Sequence, residues 1–533
     1  MRIVRFATAL TSMVFLVLAL QAPVTSARAN VPQEGVGQVH MPISCQRTVQ
    51  AEFDRGLALL YSFWYDRALT VFDHVIAADP ACQIGYWGAA MTYNHPLWAP
   101  PTHSDVRHAL DYLRRGKSAR EHSGVESRYF AAVNTLYGDG KPETKPQRDR
   151  AYMAAMSKIY AANPDDNAAL FYSLSVMGVD GYESDPARIS LAGRLAERVR
   201  THQPDHPGAL HYIIHAYDVN GYEDRALSAA RAYAASAPAI PHALHMPSHT
   251  FVAMGLWQES IDTNTRALAA GAAATPGSTD VDYHGLWFLI YSHVQAGHYA
   301  QARRLASGAL TQYLASLPRY HTMPQDEADQ LFDLNEAAAC IMSYSTDTHD
   351  YSMIAKLSDT GLYPAFEAAR VETQVLGALN DRNVSAARRF RDVLGKLRGS
   401  VASPRGHRYI ALAFEESNGF YALATGDSHL ALASLHAAAT MEERIGFVIQ
   451  PTVLPPAHEM YARALLRLGQ YPEAERQFRI ALKDTPNRPL AWLGLSKAAH
   501  ALGDASTANA ALAQFKRVWS TSDASAQKAA AAL

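Results

Sequence analysis

Along most of the chain, small and apolar residues recur with helical spacing and are cut at intervals by glycine and proline, a pattern that predicts paired helices rather than strands. The clearest interval lies near the C-terminus. In Gly469-Gln470-Tyr471-Pro472-Glu473-Ala474 a turn leads to a small residue at which two helices can cross, and Phe478, Ala481 and Pro486 complete the second helix and its exit. Trp492 opens the next hairpin, and Gly503 and Ala508 repeat Gly469 and Ala474 after 34 residues.

That period is the length of a tetratricopeptide helix-turn-helix unit. The same logic marks Gly426-Asp427 with Ala431, a weaker unit at Asn383-Val384-Ser385-Ala386-Ala387, and Gly297 to Ala302. Gly255 to Ser260 follows, with Ala226 and Ala192 at further steps of 34, and Trp64 to Ala68 with Pro80 gives the first unit. The expected fold is all-α: eight to ten hairpins stacked as a right-handed α-solenoid. Insertions fall at Gly271 to Asp280 and in the charged stretch Lys141 to Pro146. The least regular segment, Leu317 to Pro364, suggests a soft boundary between an N-terminal solenoid, 30–320, and a C-terminal one, 321–533.

The first 29 residues break the pattern. Arg2 and Arg5 precede an apolar run from Phe6 to about Leu20, and Ala27-Arg28-Ala29 forms a small-x-small cleavage site, so an export leader and a periplasmic or secreted mature chain are expected. No later stretch is long or apolar enough to span a bilayer. A net charge of -2 gives no electrostatic reason to expect nucleic acid or anionic lipid as a partner. Of three cysteines, Cys45 and Cys82 flank the first hairpin and are expected to form a disulfide tying an N-terminal strap to the second repeat, whereas Cys340 in an Ala-rich run reads as a buried thiol.

Candidate chemistry concentrates in histidine. His211-Tyr-Ile-Ile-His215 and His245-Met-Pro-Ser-His249 are 34 residues apart, so they occupy equivalent places on neighbouring inner helices, and ten of the 23 histidines lie between His202 and His298. Imidazoles four apart on a helix can converge on one cation, and a second pair can approach from the adjacent repeat. Tyr212 and Met246 stand where a zinc protease carries glutamate, which excludes that enzyme class. His242 lies one turn before the second pair, Asp218 three residues after His215, and Tyr283-His284 opens the following helix. Pro247 either starts a helix, leaving His245 in the preceding turn, or kinks one that begins near Pro241.

The mature chain resembles a family of exported bacterial tetratricopeptide proteins. The residues that carry this are Ser44-Cys45, Phe53-Asp54-Arg55-Gly56, Ser62-Phe63-Trp64-Tyr65, Tyr86-Trp87-Gly88, His95-Pro96-Leu97-Trp98, Asp205-His206-Pro207-Gly208, both histidine stretches and Pro451-Thr452. The chain departs from the family pattern at Gly181-Tyr182-Glu183-Ser184-Asp185 and at His458, where arginine is usual. The resemblance implies architecture and no particular reaction.

Two functions are therefore expected from the sequence. The first is a scaffold that holds a protein, peptide or small ligand in an N-terminal groove lined by His95, Trp87, Tyr212, Asp218, His242, His284, Trp287 and Tyr291. The alternative is a metal-binding protein or metal-dependent enzyme in which some of His211, His215, His245 and His249 hold a divalent transition ion, with Zn, Cu, Fe and Ni all suited to imidazole. Packed, hydrogen-bonded histidines, or acid-base catalysis by one of them, remain open beside these.

Overall fold

The computed structural model describes residues 35–533 except 98–99, 120–123, 139–143, 180–184, 277–281, 321, 323–331, 358–361, 399–403, 446–452 and 533. The leader, Lys141 to Glu143, Gly277 to Asp280, Gly181 to Ser184, Trp98 and Pro451-Thr452 lie outside the described residues.

Among the described residues every regular element is a helix, and successive helices pair into antiparallel hairpins. Gln50–Tyr61 pairs with Tyr65–Ala78, Pro207–Ala216 with Glu223–Ser236, Tyr283–Gln295 with Tyr299–Tyr320, and so on to Pro489–Ala501 with Ala505–Val518. The small residues that the repeat pattern places at crossings, Ala68, Ala192, Ala226, Ser260, Ala302, Ala387, Ala431 and Ala474, are essentially inaccessible. A larger side chain at any of them would push two helices apart. The fold is thus an all-α solenoid of tetratricopeptide-like hairpins.

Turn chemistry sets the hairpins. In most, a glycine with positive φ stands two residues before the second helix: Gly221, Gly255, Gly297, Gly426, Gly469 and Gly503. Two hairpins put another residue there instead, Phe63 at φ 54° before Tyr65–Ala78 and Arg382 at φ 57° before Val384–Leu397. An L-residue with a bulky side chain in the left-handed region is strained by roughly 1–2 kcal/mol.

Two further features fix the N-terminal half. The Cys45–Cys82 disulfide joins the segment before the first helix to the start of Gln83–Met91, as expected, and Cys340 is a buried free thiol. Gly208 lies so close to the Tyr61 ring that a Cβ would come within 2.7 Å of it, which lets the helices Gln50–Tyr61 and Pro207–Ala216 approach across many repeats.

The last hairpins return to the middle of the chain. The Trp257 indole donates to the Asn487 carbonyl at 3.0 Å, the Trp519 indole to the Gln295 carbonyl at 3.0 Å, and the Asp523 amide to the Gly297 carbonyl at 2.9 Å. Arg488 is buried at the centre of this closure. It donates to Asp347 at 2.7 Å, to Glu459 at 2.5 Å and to the Tyr291 hydroxyl at 3.0 Å. Glu459 also accepts from Arg463, which brings two cations and two carboxylates together.

Candidate functional site

Four helices bring six histidines together. Pro207–Ala216 starts at a proline, which favours a first helical position, and is capped by the His206 side chain accepting from the Ala209 amide at 3.3 Å. Its His211 and His215 face one side. Pro241–His245 and Pro247–Ala253 form one bent rod: Met246 between them keeps α-helical angles, φ -51° and ψ -35°. Pro247 has no N–H for the carbonyl one turn back. At this bend the Thr263 hydroxyl donates to the Leu244 carbonyl. Asp282 caps Tyr283–Gln295 through the Gly285 amide at 2.9 Å and sets His284 in the first turn.

The six rings divide into two sets of three. His211, His215 and His242 form one set, and His245, His249 and His284 the other; within each, one ring nitrogen per residue lies within 4.8 Å of the others. The division differs from a single four-histidine centre around His211, His215, His245 and His249. His242 and His284, expected as groove residues, complete the two triads. The triads are neighbours: ring centroids of His242 and His245 are 6.1 Å apart, and those of His215 and His249 are 6.3 Å apart.

Hydrogen bonds at the outer nitrogens fix the ring chemistry of the second triad. His245 Nδ1 lies 2.7 Å from Asn264 Oδ1, and the Asn264 amide nitrogen donates to the Ser260 carbonyl at 2.9 Å, so Oδ1 is the atom facing the ring. An amide oxygen only accepts. His249 Nδ1 meets Asp218 Oδ2 at 2.7 Å and His284 Nδ1 meets Glu336 Oε1 at 2.6 Å. With these carboxylates ionised, the neutral rings of His245 and His249 carry their proton on Nδ1 and aim a bare Nε2 lone pair inward, and His284 does the same once it gives up its second proton.

Those lone pairs crowd one another. Nε2 of His249 is 3.1 Å from Nε2 of His245 and 3.3 Å from Nε2 of His284. A hydrogen bond needs a proton between two such atoms, and a single proton on His249 Nε2 has both contacts to serve. A metal ion serves all three at once: donors about 2.0–2.1 Å from a tetrahedral ion sit about 3.3 Å from each other.

The first triad repeats the scheme. His211 Nδ1 donates to the Tyr61 carbonyl at 2.6 Å, leaving Nε2 as an acceptor 3.1 Å from His242 Nε2. His215 Nε2 is buried and has no hydrogen-bond partner. An aromatic ring backs each set: Phe63 lies 4.5, 5.5 and 5.7 Å from the His211, His215 and His242 rings, and Phe288 lies 4.9, 4.5 and 5.1 Å from those of His245, His249 and His284. The strained turn at Phe63 therefore delivers an apolar wall to the first triad.

Electrostatics keep most of these rings neutral. Burial pushes His211 down to about 3 and holds His215, His242, His245 and His249 well below the ordinary imidazole range. His284 is the exception. Burial works to lower it, but Glu336 and then Asp282 and Asp218 outweigh that and hold it above its usual value. Burial also raises the Asp218 carboxyl. A cation at His249 Nε2 would reverse that local balance and favour the carboxylate. His284, with 38% of its side-chain surface exposed, marks the open rim of the cluster.

The expected groove is only partly present. Trp87, Tyr212 and Tyr291 do not line an open surface: all three are fully buried. Trp87 packs on Tyr129 and Phe171, Tyr212 on Tyr61, and Tyr291 on Trp257 while accepting from Arg488. Inner helices such as Gln83–Met91 are buried on every face, so an aromatic residue there is core. His95 is half-buried against Tyr65 at 4.3 Å, and Trp287 is partly buried 6.4 Å from Phe366; neither belongs to a triad. Asn264, Glu336, Phe63 and Phe288 shape the cluster without having been expected. Of these, Phe63 alone had a local signal, its place in a turn where six other hairpins use glycine.

Residues 455–498 match the tetratricopeptide repeat family model, which covers the C-terminal hairpin read most clearly from the sequence. No curated protein matches the chain. Among solved structures, the human IFIT1 dimer with PPP-AAAA is similar at 11% identity and a TM-score of 0.39, over 82% of this chain and 90% of that one. Ypp1 is similar at 10% identity and a TM-score of 0.47, over 88% and 82%. Likenesses this distant go no further than helical-repeat architecture.

Proposed function

We propose that this protein is an exported solenoid built around a two-ion transition-metal centre, one ion held by His211, His215 and His242 and the other by His245, His249 and His284. One observation carries the reading: three Nε2 atoms of the second triad meet at 3.1 and 3.3 Å while their Nδ1 atoms are engaged by Asn264, Asp218 and Glu336. Metal-bound imidazoles characteristically carry such partners on the other nitrogen, where they fix the tautomer and raise ligand basicity.

Three protein ligands per ion leave a coordination position open, the arrangement of reactive rather than purely structural sites. The alternative of a peptide-holding groove is less favoured because Trp87, Tyr212 and Tyr291 are core residues. Export is supported by the N-terminal sequence pattern and is in keeping with the Cys45–Cys82 disulfide, since such bonds persist in oxidising compartments.

The test is elemental analysis of tag-free protein after equilibrium dialysis against Zn, Cu, Ni or Fe ions. Wild type should hold two ions per chain, and His211→Ala and His249→Ala one each. Protein that retains no ion, or a stoichiometry that neither substitution changes, would remove the metal reading.

A further inference from the structure

We infer that the two triads work as a single dinuclear copper centre that takes up dioxygen between its ions, an inference that rests on the two-ion reading above. The donor set is the first ground. Six imidazoles supply the inward-facing nitrogens, and the carboxylates nearest the second triad, Asp218 and Glu336, accept from outer ring nitrogens instead of pointing inward. Imidazole donors add no negative charge to offset that of the ions.

Charge then selects the metal. Two dications side by side repel four times as strongly as two monocations at the same separation. In a buried cluster the four charges of two dications would exceed those of the nearby carboxylates Asp218, Glu336 and Asp282, whereas two monocations would not. Of the metals that imidazole favours, Zn, Cu, Fe and Ni, copper has a stable monocation. Copper(I) also accepts three-coordination, the number of donors each triad provides.

Geometry supplies the second ground. The triads abut along two edges, His242 against His245 at 6.1 Å and His215 against His249 at 6.3 Å between ring centroids, which sets the two sites side by side. The rings of Phe63 and Phe288 back the two sets, and neither can donate a proton. A small apolar diatomic molecule suits such walls.

The step balances without another reactant. Each copper(I) gives one electron and becomes copper(II). Dioxygen accepts the two electrons, its O–O bond order falls from two to one, and the resulting peroxide bridges the ions. No proton is consumed and no group leaves.

The experiment starts from metal-free full-length protein loaded under anaerobic conditions with two equivalents of copper(I) as its acetonitrile complex and then exposed to dioxygen. The expected result is uptake of one dioxygen per two coppers, an intense near-ultraviolet peroxide-to-copper band, and no electron paramagnetic resonance signal, because the two copper(II) spins couple. His211→Ala should bind one copper, lose dioxygen uptake and, once oxidised, show the signal of an isolated copper(II). If that variant fails to fold by circular dichroism, His284→Ala at the partly exposed rim serves in its place with the same expectation. A two-copper protein that takes up no dioxygen, or that shows two uncoupled spins, overturns this inference and leaves the two-ion reading standing. Failure to bind any metal overturns both.

Discussion

His245 and His249 stand on opposite sides of Pro247, yet their Nε2 atoms meet at 3.1 Å. The bend does not separate them, because Met246 keeps helical angles and the rod stays continuous through the proline. An unbroken helix would offer the same four-residue spacing with one more backbone bond. Pro247→Ala should therefore raise thermal stability while weakening ion binding at the second triad, read by unfolding and by metal titration on the same preparation. Unchanged affinity would show that the bend does not aim the ligands.

The outer hydrogen bonds of the second triad should matter nearly as much as its ligands. Asp218→Asn and Glu336→Gln keep the size of each partner but remove its charge, and an amide can turn its NH2 toward Nδ1 and impose the wrong tautomer. Metal affinity should fall roughly 10- to 100-fold for each, with stoichiometry at saturation unchanged. Competition against a chromophoric chelator measures this. Wild-type affinity in both variants would assign Asp218 and Glu336 a packing role only.

Phe63 offers a sharper case, because the backbone and the ring pull in opposite directions. Phe63→Gly relieves left-handed strain of roughly 1–2 kcal/mol but removes the wall against His211, His215 and His242. The first triad should lose affinity by a larger factor than the second, seen by titrating Phe63→Gly in the His211→Ala and His249→Ala backgrounds. Equal losses at both triads would mean that the ring acts on the whole fold.

The repeat framework was legible because a 34-residue period must place a small residue at each crossing, and Ala192, Ala226 and Ser260 are buried as that demands. The same period put His211 and His215 in register with His245 and His249. It could not show that His242 and His284 would divide those four into two sets, since that depends on the bend at Pro247 and on the angle between neighbouring helices. Asp218 was noticed for its nearness to His215 but serves His249, and Glu336 reaches His284 across 52 residues of sequence. Trp87, Tyr212 and Tyr291 were read as groove residues because an open solenoid exposes its inner helices. In this chain those positions are packed and the C-terminal hairpins close back on the middle.

That closure depends on Arg488. Removing one partner of a buried ion cluster strands the others, at about 3–5 kcal/mol, so Arg488→Met should lower stability by that order, measured by urea unfolding. Asp347 and Glu459 would be left facing each other with less compensation. A change below about 1 kcal/mol, the range of exposed pairs, would mean that the cluster is not structural.

Away from the histidines, Glu372 and Glu416 are buried together, and burial with mutual repulsion holds the pair's titration above the ordinary carboxylate range; burial also lifts Glu442 to about 7. The folded state thus binds more protons than the unfolded chain from about pH 4.3, the ordinary glutamate value, up to the raised folded values. Unfolding free energy should fall as pH rises through that window and level off on either side. Glu416→Gln should flatten the slope and leave the protein more stable than wild type at about pH 9. Denaturant midpoints across the pH range test this, and a slope that Gln leaves untouched would rule the pair out as its source.

The most direct measurement is anomalous diffraction from crystals grown with a saturating transition metal, with data collected on either side of that metal's absorption edge. The account predicts two peaks per chain, one among His211, His215 and His242 and one among His245, His249 and His284. A single peak shared by both sets, or none among these six rings, would contradict it.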